Sequence, residues 1–408
     1  MMPHSKRHKH IGLIRLTIPL LLGFVLFTSV QAQEASSQKI HRGAVLIDTH
    51  NDFPSASIEK GISLDQDLKG RAHTDLGRLQ NGGVDVQVFS IFCDGTQENP
   101  YQWANREIDS VQAWVIRNAD RMMLVRNSTG LKHSLRGKKT GAMLGVEGGH
   151  MIENKLENLE NLFKRGVRYM TLTWNNSTPW ASSAWDETLR PDSLSQLGLT
   201  EFGKSVVRKM NELGMIVDVS HLGEKSFWDV MQTSSKPVIA SHSCVKSLCP
   251  HRRNLTDDQI RAIAKNGGVV HLNFYSGFLD SSFERKRDAF LAAHQPEVDA
   301  LIAQKIQRDY AQMMVLEKYP EQMASILPPL SLLIDHLDHI VRLVGVNHVG
   351  LGSDFDGIEA PPLGLNGVED FPKITSELIS RGYSRRDIRK ILGGNFIRVL
   401  KANERNGK

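Results

Sequence analysis

Five short stretches hold the residues with the most chemical potential. "LIDTHNDFP" carries His50 and Asp52 two positions apart, "GVEGG" sets Glu147 among glycines, and "DVSH" and "ASHS" end in or contain His221 and His242. "GSDFDG" adds Asp354 and Asp356. Taken singly, each stretch also fits a polar turn or a hydrogen-bonded core residue. Together they offer three imidazoles and several carboxylates, the nitrogen and oxygen donors that suit zinc. Burying such a group is costly unless a cation pairs it. Five ligands with one carboxylate bridging are too many for a single tetrahedral ion and fit two ions ~3.5–4 Å apart. Alternation along an extended segment would point both side chains of His-x-Asp to one face, so that both reach one metal.

These residues act as a unit only if the fold brings them together. Eight apolar, β-rich runs recur along the chain: 44–48, 84–92, 141–148, 168–174, 215–221, 237–243, 268–274 and 348–356. Helical patterns separate them, including 105–125, "LTEFGKSVVRKMNELG", "TDDQIRAIAKNG" and "LSLLIDHLDHIVRLVG". The last three end at Gly214, Gly267 and Gly345, as C-terminal caps should. Strands joined by helices imply right-handed crossovers and a parallel sheet. Eight such units predict an α/β protein, a (β/α)₈ TIM-type barrel, with a doubly wound open sheet as the alternative. In such a barrel the active site lies at the C-terminal ends of the strands, where every candidate residue falls. Residues 280–329, between the seventh and eighth runs, are charged and helical in pattern and read as a solvated helical insertion before a substrate lid or a dimer contact.

Composition narrows the class. The 408 residues are 40% hydrophobic and 23% charged, as in a soluble globular chain. Residues 1–32 combine four basic residues, an apolar run of about 15 residues and the small-x-small pattern Val30-Gln31-Ala32, the form of a secretory signal peptide and short of the ~20 residues of a membrane span. Cleavage after Ala32 would leave 46 basic against 45 acidic residues, a net charge of +1 and no basic stripe for nucleic acid. The expected organisation is therefore a signal (1–32), a polar linker (33–42) and one barrel domain (43–404), exported to the periplasm or beyond and without a stable membrane anchor. Cys93, Cys244 and Cys249 cannot build a disulfide framework, and the latter two read as buried thiols. His150 reads as a supporting residue, not a ligand. Whether two copies pair as a homodimer is left open.

The combined motifs resemble the membrane, or renal, dipeptidases, a zinc peptidase family of the amidohydrolase superfamily. The resemblance runs from "LIDTHNDFP" through "GVEGG", "YMTLT", "TPWA", "VDVSH", "SHSCVKSLCPHRRNL" and "VGLGSDFDG" to "GGNFIRVL". It implies two Zn²⁺ ions, with His50 and Asp52 on one, His221 and His242 on the other, and Glu147 bridging them. Arg253 matches the arginine that holds the substrate's terminal carboxylate, and Asp354, ahead of Asp356, the acid that handles the proton of the hydrolytic water. The implied reaction is hydrolysis of a dipeptide by a metal-bridged hydroxide. One departure stands out: mammalian relatives have "TLTH" where this chain has "TLTWNN", so Trp174 replaces a histidine that contacts the substrate. Zinc binding should survive the change, which bears instead on substrate polarisation and preference. A binuclear amidohydrolase acting on N-acyl amino acids is the nearest rival, and a binding protein or dead enzyme on the same barrel is disfavoured because all five ligand positions are filled.

Overall fold

The computed structural model describes residue 1, residues 35–304, residue 306 and residues 308–404. Beyond Met1, the expected signal segment lies outside the described residues. Among the described residues nine strands form one parallel sheet: β1 (Ile47–Asp48), β2 (Val86–Phe92), β3 (Met122–Leu124), β4 (Thr140–Glu147), β5 (Val167–Thr171), β6 (Ile216–Asp218), β7 (Ile239–Ala240), β8 (Val269–Leu272) and β9 (Val349–Leu351). Eight follow one another in the order β1-β2-β4-β5-β6-β7-β8-β9, and β3 pairs with β4 outside this path. The ends meet. The Thr49 N–H donates to the Leu351 carbonyl (3.2 Å), the Asp354 N–H to the His50 carbonyl (3.1 Å) and the Asp52 N–H to the Phe355 carbonyl (2.9 Å). The fold is the expected (β/α)₈ barrel, with helices between successive strands.

Alternation within the strands builds two cores. Ile47, Val86, Val88, Met143, Tyr169, Ile216, Ile239 and Val269 come from seven strands yet form one cluster with Phe396, Val399 and Leu400 of the C-terminal helix Asn395–Asn403. Side chains of seven strands can meet only inside a barrel, and the C-terminal helix supplies the plug. Their sequence neighbours, such as Leu46, Phe89, Leu144, Val217 and Val270, belong to the outer cluster beneath the helices. Gly145 lets the Tyr169 ring lie against β4, since a Cβ there would overlap the ring.

Three expectations need correction. The helix read over 105–125 is Pro100–Arg117, and its apolar tail is the separate strand β3, because the Asn118-Ala119-Asp120 break ends the helix first. The linker read over 33–42 is helical over residues 35–42 and docked, with the two ring nitrogens of buried His41 bonded to the Thr375 hydroxyl (2.7 Å) and the Gly82 carbonyl (2.8 Å). The insertion is helical, with Phe283–Ala293, Gln295–Ala303, Arg308–Lys318 and Pro320–Ile326, but it does more than face solvent. Leu291, Gln312, Met313 and Leu316 line the cavity over the strand ends, so these helices roof the site.

Candidate metal centre

The candidate ligands and acids stand where strands give way to loops. Glu147 is the last residue of β4, whereas the others lie just beyond strands shorter than their sequence runs suggest. His221 (φ 65°), Asp354 (φ 63°) and Asp356 (φ 67°) take left-handed backbone conformations, which cost a non-glycine residue roughly 1–3 kcal/mol and gather at functional sites. The chain turns sharply there, which aims His221 and Asp354 inward. His50 and Asp52 do reach one place, with His50 Nε2 3.4 Å from Asp52 Oδ2, although the segment is not extended as expected: Asp52 already stands at the boundary of the helix Phe53–Lys60.

Glu147 sits at the centre of the group. Its Oε2 lies 3.3 Å from His50 Nε2, and its Oε1 lies 2.7 Å from His221 Nε2 and 3.4 Å from His242 Nε2. Asp354 Oδ1 is 3.9 Å from His50 Nε2. Two sets of donor atoms, buried except for half-buried Asp354, are close enough to hold a cation: His50 with Glu147 and His242, and His50 with Asp52 and Asp354. His50 Nε2 and Asp52 Oδ1 are buried without a hydrogen-bond partner, an expense that a cation between them would remove.

Electrostatics point the same way. Burial and neighbouring Arg253 lower the His221 pKa to about 3, and burial and His50 hold His242 well below its usual range, leaving both rings neutral and able to ligate. Burial works against charge on His50 as well, but the Tyr169 oxygen, Asp52 and Glu147 outweigh it and hold its pKa well above normal. A divalent ion would replace the proton they attract. Burial pushes Glu147 up, yet the His50 and His221 rings keep it well below the ordinary range, while burial and Asp52 push Asp354 well above it.

Hydrogen bonds fix which ring nitrogen faces the centre. Tyr169 donates its hydroxyl proton to the Thr49 carbonyl (3.0 Å), so its oxygen accepts from His50 Nδ1 (2.8 Å) and leaves Nε2 free. Ser241 donates to Asp218 Oδ2 (2.5 Å) and accepts from His242 Nδ1 (2.7 Å), with the same outcome. Asp218 also accepts from the Thr171 hydroxyl (2.5 Å) and the Ser241 N–H (2.8 Å). Tyr169 and Asp218 were missed from sequence. The signal was present, because a lone acid in "IVDVS" and a tyrosine in "RYMTLT" must both be buried in a parallel strand and need polar partners there.

A cavity of about 460 Å³ opens above this centre, lined by Asp52, Glu147, His221, Asp354, Arg253 and Trp174 among others. Arg253 is only 6% exposed and its Nη2 has no partner. Asp354 Oδ2 accepts from the Asn273 side-chain amide (2.7 Å), whereas Asp356 turns aside and accepts from the His73 N–H (2.7 Å). The Trp174 ring packs on Phe92 with centroids 5.0 Å apart. His150 bonds the Cys93 carbonyl (3.1 Å), and all three cysteines are free and buried. Arg252, whose guanidinium stacks 4.0 Å over Trp185, also lines the cavity and was not singled out from sequence.

The model of the membrane dipeptidase family, peptidase family M19, matches residues 34–408. Dipeptidase 3 of Macaca fascicularis is 30% identical over 375 residues, 90% of this chain and 67% of that protein. A probable dipeptidase from Pseudomonas aeruginosa has a similar fold, with a TM-score of 0.77 at 23% identity over 91% of this chain and 98% of the other. So has a metallopeptidase from Rhodobacter sphaeroides, solved with a phosphinate mimic of the dipeptide L-Ala-D-Ala, with a TM-score of 0.70 at 24% identity over 88% of this chain and 99% of that one. The match over almost every described residue, on a barrel that gathers histidines and carboxylates at one rim, leads to one assignment: the chain belongs to the membrane dipeptidase family and is a metallo-dipeptidase.

Proposed function

We propose that the protein is an exported zinc dipeptidase whose two metal ions share Glu147. The observation that carries this reading is the division of that carboxylate, one oxygen toward His50 and the other toward His221 and His242. His50 and Asp52 would hold the first ion, His221 and His242 the second. The donors are nitrogen and oxygen alone, as zinc accepts, and the buried thiols stand elsewhere. When bound, the two ions would supply an acidified water as nucleophile and polarise the scissile carbonyl.

The chain's own groups do the rest. Arg253 holds the substrate's free carboxylate by a charge-assisted contact, which confines cleavage to one residue from the C-terminus. Asp354 takes the proton of the attacking water and returns it to the departing amine, a role for which a carboxyl with a raised pKa is suited. Trp174 walls the substrate in. Among the described residues no helix is long and apolar enough to cross a membrane, and the export signal is the one read in residues 1–32.

The replacement of the family histidine by Trp174 favours a second reading, hydrolysis of N-acyl amino acids at the same centre. A panel of dipeptides and N-acyl amino acids, assayed with zinc, separates the two. Dipeptide cleavage is expected, and cleavage of N-acyl amino acids alone would sink the first reading.

The hydrogen bond from His50 to Tyr169 gives a quieter test. Tyr169→Phe is expected to weaken metal binding about 10- to 100-fold, the usual effect of removing a ligand's outer partner. Competition with a fluorescent chelator measures it, and unchanged affinity would mean that Tyr169 only fills the core.

A further inference from the structure

We infer that Phe92 and Trp174 form the pocket for the side chain of the substrate's first residue, that Glu59 and Asp94 receive its free ammonium group, and that the preferred substrates are dipeptides beginning with a large apolar, above all aromatic, residue. The inference rests on the dipeptidase reading and names the substrate class of that same site.

Topology supplies the direction. In the ring β1-β2-β4-β5-β6-β7-β8-β9, β2 and β7 stand four places apart, on opposite sides of an eight-membered circle. The loop after β7 carries Arg253, and β2 ends at Phe92. With the substrate's carboxylate on Arg253 and its scissile carbonyl over Glu147 and Asp354, the first residue must extend toward the β2 side. The cavity wall there is aromatic. Phe92 and Trp174 touch at 5.0 Å with planes 59° apart, and both are half-buried, so part of each ring stays open to the cavity. Trp174 comes from the loop after β5, two places round the ring from β2, and brings an indole where a histidine would have left more room and a polar edge.

The charges are arranged in the same sense. Arg252 and Arg253 follow β7, whereas Asp94, just past β2, and Glu59, on the helix after β1, reach the same cavity from the β1–β2 side of the ring. Other charged residues of the lining already face an opposite charge, Arg287 with Glu359 at 3.2 Å and Glu284 in the field of Arg252, since burial lowers the His251 pKa to about 3 and leaves that ring neutral. Asp94 accepts hydrogen bonds from Thr96, but neither it nor Glu59 has a cationic partner within ion-pair distance among the described residues. A cavity that receives cations from the β7 side and acids from the β1–β2 side fits a zwitterion, which a dipeptide is and an N-acyl amino acid is not. Between the charges, the aromatic pair would bury an apolar side chain.

The test compares kcat/KM of the zinc-loaded enzyme for Phe-Ala, Gly-Ala and N-acetyl-Phe-Ala. Burying the phenyl group is expected to favour Phe-Ala over Gly-Ala by about 30-fold, and blocking the ammonium is expected to cost at least about 10-fold. Trp174→His and Phe92→Ala should each shrink the Phe/Gly ratio to a few-fold, with metal content and thermal unfolding compared with the parent protein. Glu59→Gln with Asp94→Asn should narrow the gap between free and acetylated substrate. Equal cleavage of Phe-Ala and Gly-Ala overturns the pocket and leaves the dipeptidase reading standing, as does a ratio untouched by Trp174→His. Equal cleavage of acetylated and free Phe-Ala overturns the ammonium assignment. If no dipeptide is cleaved, the dipeptidase reading itself falls. The substrate ratios of the parent protein decide the matter even where a variant does not fold.

Discussion

Glu147→Ala should be almost inactive, with kcat lowered by at least ~10³-fold, and should no longer hold two metal ions. The expectation follows from position. Glu147 ends β4 among buried imidazoles, its two oxygens face different histidines, and the His221 and His242 Nε2 atoms are only 3.0 Å apart. In the proposed arrangement, taking the carboxylate away would remove the group that the two ions share and that screens their mutual repulsion. Loss of activity alone would be weak evidence, since many changes at a rim disable an enzyme. Elemental analysis of the purified variant supplies the decisive readout: fewer than two zinc ions per chain is expected, and a full complement with normal turnover would remove Glu147 from the centre.

Asp354→Asn should behave differently. A proton-transferring carboxylate contributes typically ~10²–10⁴-fold to rate, so kcat should fall by about that factor while KM changes little and both ions stay bound. The geometry separates Asp354 from its neighbour Asp356. Asp354 faces His50 and is steadied by the Asn273 amide, whereas Asp356 is bonded to the His73 backbone. Asp356→Asn is accordingly expected to keep kcat within a few-fold of the parent. Steady-state kinetics with metal analysis on both variants checks the assignment, and the reverse pattern would transfer the role to Asp356.

Much of the rim could be read from residue types, because buried charge is rare enough to be informative. Placing His50, Glu147, His221, His242 and Asp354 at the ends of five different strands makes sense only if they meet, and the alternation of apolar runs with helical patterns says that they do. What escaped reading has physical causes. Local pattern carries no sign of where a strand bends, so the runs 215–221 and 348–356 looked extended although His221, Asp354 and Asp356 are left-handed. Strand β3 was hidden because "MMLV" continues a helical apolar pattern past its break. The docking of residues 35–42 depends on His41 meeting Thr375, a partner 334 positions away. The roof formed by 280–329 was also invisible, since Leu291, Met313 and Leu316 become a cavity wall only through the packing of helices whose other faces are solvated.

The proposed chemistry requires two metal ions acting through one shared carboxylate. The direct measurement is a titration: protein stripped by a chelator is supplied with zinc in fractions of an equivalent while Phe-Ala hydrolysis and bound metal are followed together. Negligible activity in the stripped protein is expected, rising to a plateau at two equivalents per chain. Full activity without metal, or a plateau at one equivalent, would contradict the shared centre at Glu147.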